Sequence, residues 1–139
     1  NSIYAVGTAS IEEIDKINIL NASLLSMKRA LDQLKIKPSI AYIDGLFVPK
    51  NIKIKCKNIV RGDEKMLCIA AASIIAKASR DLFMIRLGKK FPEYRWDKNF
   101  GYGTAEHLES LKRHGITKHH RKKFKPIHNI LMRKTRETL

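Results

Sequence analysis

The chain has 139 residues, 44% of them hydrophobic, which is enough for one domain with a real core and too apolar for a disordered chain. Its 28 Lys and Arg against 13 Asp and Glu give a formal net charge of +15, which points to a polyanion partner, most simply nucleic acid; a ribosome-associated or merely solubilising basic surface is the competing reading. No apolar run approaches the roughly 20 residues that span a bilayer, and 1–10, NSIYAVGTAS, lacks the basic start and apolar stretch of a secretory signal.

Residues 2–8, rich in β-branched and aromatic side chains, are predicted as a strand. Ser10 with Glu13 three positions on reads as a capping box. Ile14, Ile17, Leu20, Leu24, Leu31 and Leu34 then recur at helical steps with one wider gap, predicting a single amphipathic helix of about 24 residues. Residues 40–44, IAYID, suit a short buried strand. In 51–60, Ile52, Ile54 and Cys56 alternate with Lys53, Lys55 and Lys57, which puts one face in the core and one basic face in water.

The stretch 66–91 is rich in Ala, Leu and Met and apolar on most sides. It predicts a central, largely buried helix that ends before Pro92. Residues 94–104, YRWDKNFGYGT, read as a loop from their glycines and aromatics, with Tyr94, Trp96 and Phe100 as core or loop anchors; stacking on a base is the alternative. Thr104 caps a helix running to His114, with Gly115 as its stop, and 127–139 forms a last short helix. Cys56 and Cys68, without a C-x-x-C, read as buried thiols of a reducing compartment, so the expected location is cytoplasmic. The order β-α-β-β-α-α-α is an α/β arrangement with too few strands for a complete sheet.

Asp44 closes a predicted strand, and Asp63 follows the next one in VRGDEKM. In α/β folds, sites gather beyond the carboxyl ends of strands. Two acids there can hold hard divalent cations, which take oxygen ligands and retain water. Two such ions can clamp the attacking and leaving oxygens of a phosphodiester. The plainer reading also stands: Asp63 as an N-cap, Asp44 as a turn residue beside Gly45. Two carboxylates are a thin ligand set, so further acids are expected upstream of Asn1. RGD as an adhesion tripeptide is disfavoured by the missing secretory signal.

Ser73 and Lys77 lie four apart in SIIAKASRD and share a helix face. Lys77 can approach a phosphate with Ser73 in support, or the two can be a snorkelling lysine and a small packing residue. Asp81, four further on, supports the site or pairs with Lys77. Adjacent helical residues point about 100° apart, so His119 and His120 do not suit one metal. His107, His114, His119, His120 and His128 are read as surface or packing residues, and KHHRKKFK as a segment meeting the nucleic-acid backbone.

IDG, RGD, AAASIIAKASRD and GYGTAEHLESLKRHGITKHHRKKF, with SIEEIDKINILNASLLSMKRAL before them, together resemble bacterial ribonuclease HII from about residue 2 to about residue 130. The resemblance implies an RNase H-like mixed sheet flanked by helices, with a C-terminal helical extension. Residues 1–139 would form one such domain, 1–92 carrying the sheet and main helices and 93–139 the basic helical part. The family site uses a D-E-D-D set. The first pair, in D-E-x-G-R-G, is absent here, so the chain is expected to lack roughly the first third of the domain, to expose strand edges and apolar surface, and to be poorly stable and inactive alone unless a tightly associated N-terminal segment partners it. Asp44 and Asp63 match the third and fourth acids as metal ligands for Mn²⁺ or Mg²⁺. Tyr102 matches a tyrosine that contacts the ribonucleotide, whose 2′-OH separates RNA from DNA.

The resemblance further implies hydrolysis of RNA in RNA–DNA hybrids and cutting 5′ of single ribonucleotides in duplex DNA, leaving 3′-hydroxyl and 5′-phosphate ends. The complete protein would be a monomer without a membrane partner. The alternatives are a non-catalytic basic nucleic-acid-binding module of the same fold, and the related ribonuclease HIII.

Overall fold

A computed structural model describes residues 2–125, 127–130 and 132. The chain divides into two compact units, one up to Ser79 and one from Arg80.

The first unit holds helix α1 (Ile11–Gln33), strands β1 (Ile40–Asp44) and β2 (Lys55–Ile59), the single-turn helix α2 (Gly62–Lys65) and the start of α3 (Leu67–Lys90). The capping box before α1 forms as its sequence predicts. Ser10 Oγ accepts from the Glu13 amide at 3.2 Å, and Glu13 Oε2 accepts from the Ser10 amide at 2.8 Å. Glu13 also takes both arms of the Arg29 guanidinium, at 2.8 and 2.6 Å. Arg29 donates a further bond to the Thr8 carbonyl at 2.7 Å, so one arginine ties the helix to the segment before it.

Two expectations fail here. The helix is not continuous: Asn18 takes φ 68° and ψ 168°, which breaks it. Asn tolerates positive φ better than most residues, and its Oδ1 caps the second half by accepting from the Asn21 amide at 3.0 Å. Residues 2–8 form no strand; they run as irregular chain. β propensity needs a ladder to express itself, and among the described residues this segment has none. It lies against α1 instead, where Gly7 permits close approach. A Cβ there would run into the Ser26 carbonyl oxygen and stand 2.6 Å from the Ala30 nitrogen.

β1 and β2 pair in parallel, Ile40 opposite Lys55 through Asp44 opposite Ile59. Ala41 and Ile43 point into the core while Tyr42 and Asp44 are exposed. The lysine-rich stretch keeps its predicted alternation, with Ile52, Ile54 and Cys56 half-buried and Lys53, Lys55 and Lys57 exposed. Only 55–59 of it is strand.

α3 ends at Lys90, before Pro92, as expected, but it is not largely buried. Leu67, Ile74, Leu82 and Phe83 are all more than half exposed. An apolar helix surface is buried only where another element covers it. The cysteines are not buried thiols either. Cys68 is exposed on the first turn of α3, and Cys56 is half-buried at the edge of β2.

The second unit is built on an aromatic core. Met84, Leu87, Tyr94, Trp96, Leu111 and Ile127 form its buried cluster, with Phe91, Phe100, Leu108, Ile116 and Ile130 packed around it. Each fully buried aliphatic side chain contributes about 1.5–3 kcal/mol. Trp96 stacks on Tyr94 with centroids 4.9 Å apart. Both rings are buried, so they anchor the core and do not stack on bases.

The expected loop 94–104 is partly helical. A 3₁₀ turn spans Pro92–Tyr94 and helix α4 spans Trp96–Asn99. Arg95 and Phe100 bracket α4 in the left-handed region, at φ 52° and 49°. Asn99 holds this geometry: its Nδ2 donates to the Tyr94 carbonyl at 2.7 Å and its Oδ1 accepts from the Gly101 amide at 2.9 Å. Helix α5 (Ala105–His114) starts at Thr104, whose Oγ1 accepts from the His107 amide at 3.2 Å. It stops at Gly115, whose φ of 78° suits glycine, as the sequence predicts. Residues 127–130 are helical; 131 and 133–139 of the predicted last helix, and residue 126 before it, lie outside the described residues.

Candidate functional site

Asp44 stands at the carboxyl end of β1, opposite Ile59 at the end of β2. The backbone continues across this end: the Gly45 amide donates to the Ile59 carbonyl at 3.0 Å. Past β2 the chain turns through Val60 and Arg61, the latter left-handed at φ 55°, and enters α2 at Gly62. That turn aims the Gly62 amide at Asp44, whose Oδ1 accepts it at 2.8 Å.

Gly62 is buried, and a Cβ there would stand 2.6 Å from Ile69 Cδ1, so only glycine brings this amide so close. Asp63 follows in the first turn of α2 and is exposed. It is not the N-cap of the long helix. Its neighbours carry the local ion pair and closing bond instead, Arg61 to Glu64 at 2.7 Å and Lys65 Nζ to the Val60 carbonyl at 2.7 Å.

The structure thus gathers Asp44 and Asp63 at one end of the strand pair, joined through Gly62. Among the described residues the Asp63 carboxylate makes no hydrogen bond or ion pair, and Asp44 accepts only from Gly62. Gly62 is the residue of this arrangement that sequence reading missed. Its signal was a glycine directly between a strand exit and an acid. Among the described residues no group of three or more His, Cys, Asp or Glu could hold a metal ion. The two carboxylates still suit a hard cation such as Mg²⁺, which is commonly held by one or two carboxylates and otherwise by water and phosphate oxygen.

Ser73 and Lys77 are exposed one turn apart on α3, and no hydrogen bond among the described residues joins Ser73 to either acid. Tyr102 belongs to the second unit. It is 66% exposed, between Gly101 at φ 82° and Gly103, which has open space around its Cα. Its amide donates to the Asn99 carbonyl at 2.8 Å, and its carbonyl accepts from the Thr104 amide at 2.9 Å. The ring is presented on a loop fixed at both sides.

The histidines pack, as expected for most of them. His107 and His120 are buried with rings stacked 5.5 Å apart. His107 Nδ1 donates to the Tyr94 carbonyl at 3.2 Å. His120 Nδ1 accepts from the Thr117 amide at 2.9 Å, so the neutral ring carries its proton on Nε2. That Nε2 is buried without a hydrogen-bond partner among the described residues, and the His120 ring centroid lies 5.0 Å from those of both Tyr94 and Trp96. Burial, with His107 alongside, pushes the His120 pKa down to about 4. Around it, Lys118, Lys122, Lys123 and Lys125 are exposed and keep the basic segment at the surface, with Phe124 exposed among them. No helix among the described residues is long and apolar enough to cross a membrane.

The sequence model of the ribonuclease HII family matches residues 2–127. The chain belongs to the ribonuclease HII family. It is 56% identical over 131 residues to the ribonuclease HII of Pelagibacter ubique, covering 94% of this chain and 70% of that one. To the ribonuclease HII of Cereibacter sphaeroides it is 52% identical over 127 residues, covering 91% and 60%. To that of Neisseria meningitidis it is 44% identical over 132 residues, covering 95% and 68%. The chain therefore spans about 60 to 70% of the length of these ribonuclease HII relatives. Among solved structures, the ribonuclease H2 from Pyrococcus horikoshii OT3 matches with a TM-score of 0.72 at 23% identity, over 90% of this chain and 66% of that one. That likeness establishes the α/β, RNase H2-type fold.

Proposed function

We propose that the chain carries part of the active site of an endoribonuclease that works in the cytoplasm. The enzyme hydrolyses the RNA strand of RNA–DNA hybrids and cuts 5′ of single ribonucleotides in duplex DNA, leaving 3′-hydroxyl and 5′-phosphate ends. The observation that carries this reading is the Gly62–Asp44 hydrogen bond, which fixes one strand-end carboxylate next to a second, unpaired one. Family membership supplies the reaction class.

Asp44 and Asp63 are the groups that hold divalent cations, Mg²⁺ or Mn²⁺. When bound, such ions polarise water and phosphate oxygen and neutralise charge at the scissile phosphate. The Gly62 amide keeps Asp44 oriented and occupies one of its lone pairs, leaving the rest of the carboxylate available. Two carboxylates leave most of each coordination shell to water, substrate phosphate and other acids. Tyr102 lies against the sugar whose 2′-OH marks RNA, Lys77 and Ser73 approach a backbone phosphate, and the 118–125 segment lies along the duplex.

The test uses a version extended to the length of the relatives. Asp44→Asn should abolish metal-dependent cleavage of a hybrid and leave duplex binding intact. Cleavage that survives the substitution sinks the assignment. Binding without cleavage in the unsubstituted protein favours the non-catalytic binding module.

A further inference from the structure

We propose that the exposed face of the β1–β2 pair, Tyr42 on β1 with Lys55 and Lys57 on β2, seats the sugar–phosphate backbone of a nucleic-acid strand beside Asp44. This deepens the reading above by naming a binding surface next to the strand-end acid, and it rests on that reading for the choice of nucleic acid among polyanions.

The sequence concentrates positive charge here. From Gly45 to Gly62 it holds Lys50, Lys53, Lys55, Lys57 and Arg61 and no Asp or Glu. The strand register decides which of these share a surface. Tyr42 stands opposite Lys57, and Ile40 opposite Lys55. Side chains alternate along a strand, and paired residues point to the same side of a sheet. Ala41 and Ile43 are buried, so theirs is the core side. Tyr42, Asp44, Lys55 and Lys57 therefore lie together on the opposite side, and all four are exposed.

Two residues along a strand span roughly 6.6 Å, and neighbouring strands lie roughly 4.8 Å apart. Lys57 thus stands one strand across from Tyr42 and one diagonal step from Asp44, with Lys55 a step further back. Among the described residues neither ammonium makes a hydrogen bond or ion pair. Lysine is a poor strand former, and two ammoniums on one strand face repel. A row of phosphates relieves that repulsion. The same two charges offset the repulsion that a strand-end carboxylate exerts on a phosphodiester chain. Tyr42 adds an aromatic ring against which a sugar can pack. Lysines on a strand also discourage edge-to-edge pairing, but that role needs neither an aromatic neighbour nor an acid at the end of the row.

The test measures binding of the chain to an RNA–DNA hybrid by fluorescence anisotropy, in chelator, across a salt series, with a thermal melt of each variant as folding control. Lys55→Gln, Lys57→Gln and the double variant are compared with the unsubstituted chain and with Lys16→Gln, which removes the same charge from an exposed position on α1. Each neutralised phosphate contributes about 0.9 to the slope of log K against log salt. Each substitution on β2 should flatten that slope by up to about 0.9, and the double variant by the sum of the two, because side chains roughly 6.6 Å apart meet different phosphates. Lys16→Gln should leave the slope as it is. Tyr42→Ala should weaken binding severalfold at every salt concentration without altering the slope.

Lys55→Thr, Lys57→Thr and Tyr42→Thr, with a better strand former at each position than Gln or Ala, serve in place of a variant that does not fold. Unchanged slopes in the β2 variants, an equal flattening by Lys16→Gln, or an affinity indifferent to the loss of the Tyr42 ring overturn the proposal. Metal-dependent cleavage, assayed on the extended protein, tests the nuclease reading independently. Cleavage with unchanged slopes rejects only this surface. Flattened slopes without cleavage keep the surface and reject the nuclease.

Discussion

The amide of Gly62 meets Oδ1 of Asp44 across 2.8 Å, so the strand-end acid is held by the backbone one residue ahead of the second acid. Asn at position 44 retains that acceptor. Asp44→Asn should therefore change stability by no more than about 0.5 kcal/mol while removing the carboxylate charge. Gly62→Ala should do the reverse. Its methyl group meets the buried Ile69 side chain, at a cost of about 1–3 kcal/mol. Denaturant melts of the two variants check this.

Glu13 gives the first unit an acid-sensitive fastening. The hydrogen bond from Arg29 first, and that from the Ser10 amide second, lower its pKa from 4.5 to about 2. A carboxylate whose pKa is depressed by folding stabilises fully above its unfolded value and loses that contribution as pH falls toward its folded value. The stability advantage over Glu13→Gln should be constant above about pH 5 and shrink between there and pH 2. A pH series of urea melts on both proteins measures it; an unchanging advantage down to pH 2 would contradict the geometry.

His120 has a different acid window in the second unit. Its pKa is lowered from 6.5 to about 4, mainly by burial. Folding favours the neutral ring, so this contribution is whole above pH 6.5 and is lost as pH falls through about 4. The Cε1 proton of His120 should titrate by NMR with a midpoint near 4. His120→Asn should weaken the fall in melting temperature between pH 6.5 and 4.

Trp96 is the single tryptophan, 2% exposed and stacked on Tyr94. Its emission should be blue-shifted, resist acrylamide and stay unchanged when duplex binds, which separates a core role from base stacking. Trp96→Ala should cost about 3–5 kcal/mol.

Local chemistry was the most legible part of the sequence. The Ser10–Glu13 box, the Thr104 cap and the Gly115 stop each depend on residues within one turn, and each forms. Apolar periodicity misled where it could not see the backbone. Ile14 through Leu24 keep their spacing across Asn18, so nothing in the pattern announces the break. Residues 2–8 have strand composition but no ladder among the described residues. The all-round apolar character of 66–91 says that the helix can be covered, not that it is, and Leu67 and Ile74 are open to water. Asp44 and Asp63 were readable as strand-end acids. The Gly62 amide that links them was not, because it depends on the parallel register and on a left-handed Arg61.

Asn99 has one further effect. One buried amide fastens the Tyr94 carbonyl on one side and the Gly101 amide on the other. The loop carrying the exposed Tyr102 thereby inherits the stiffness of the aromatic core. A partner meeting that ring would find its shape already set, so little chain entropy remains to be lost on contact. Whatever meets the ring must fit a fixed surface, and a misfit cannot be relieved by the loop yielding.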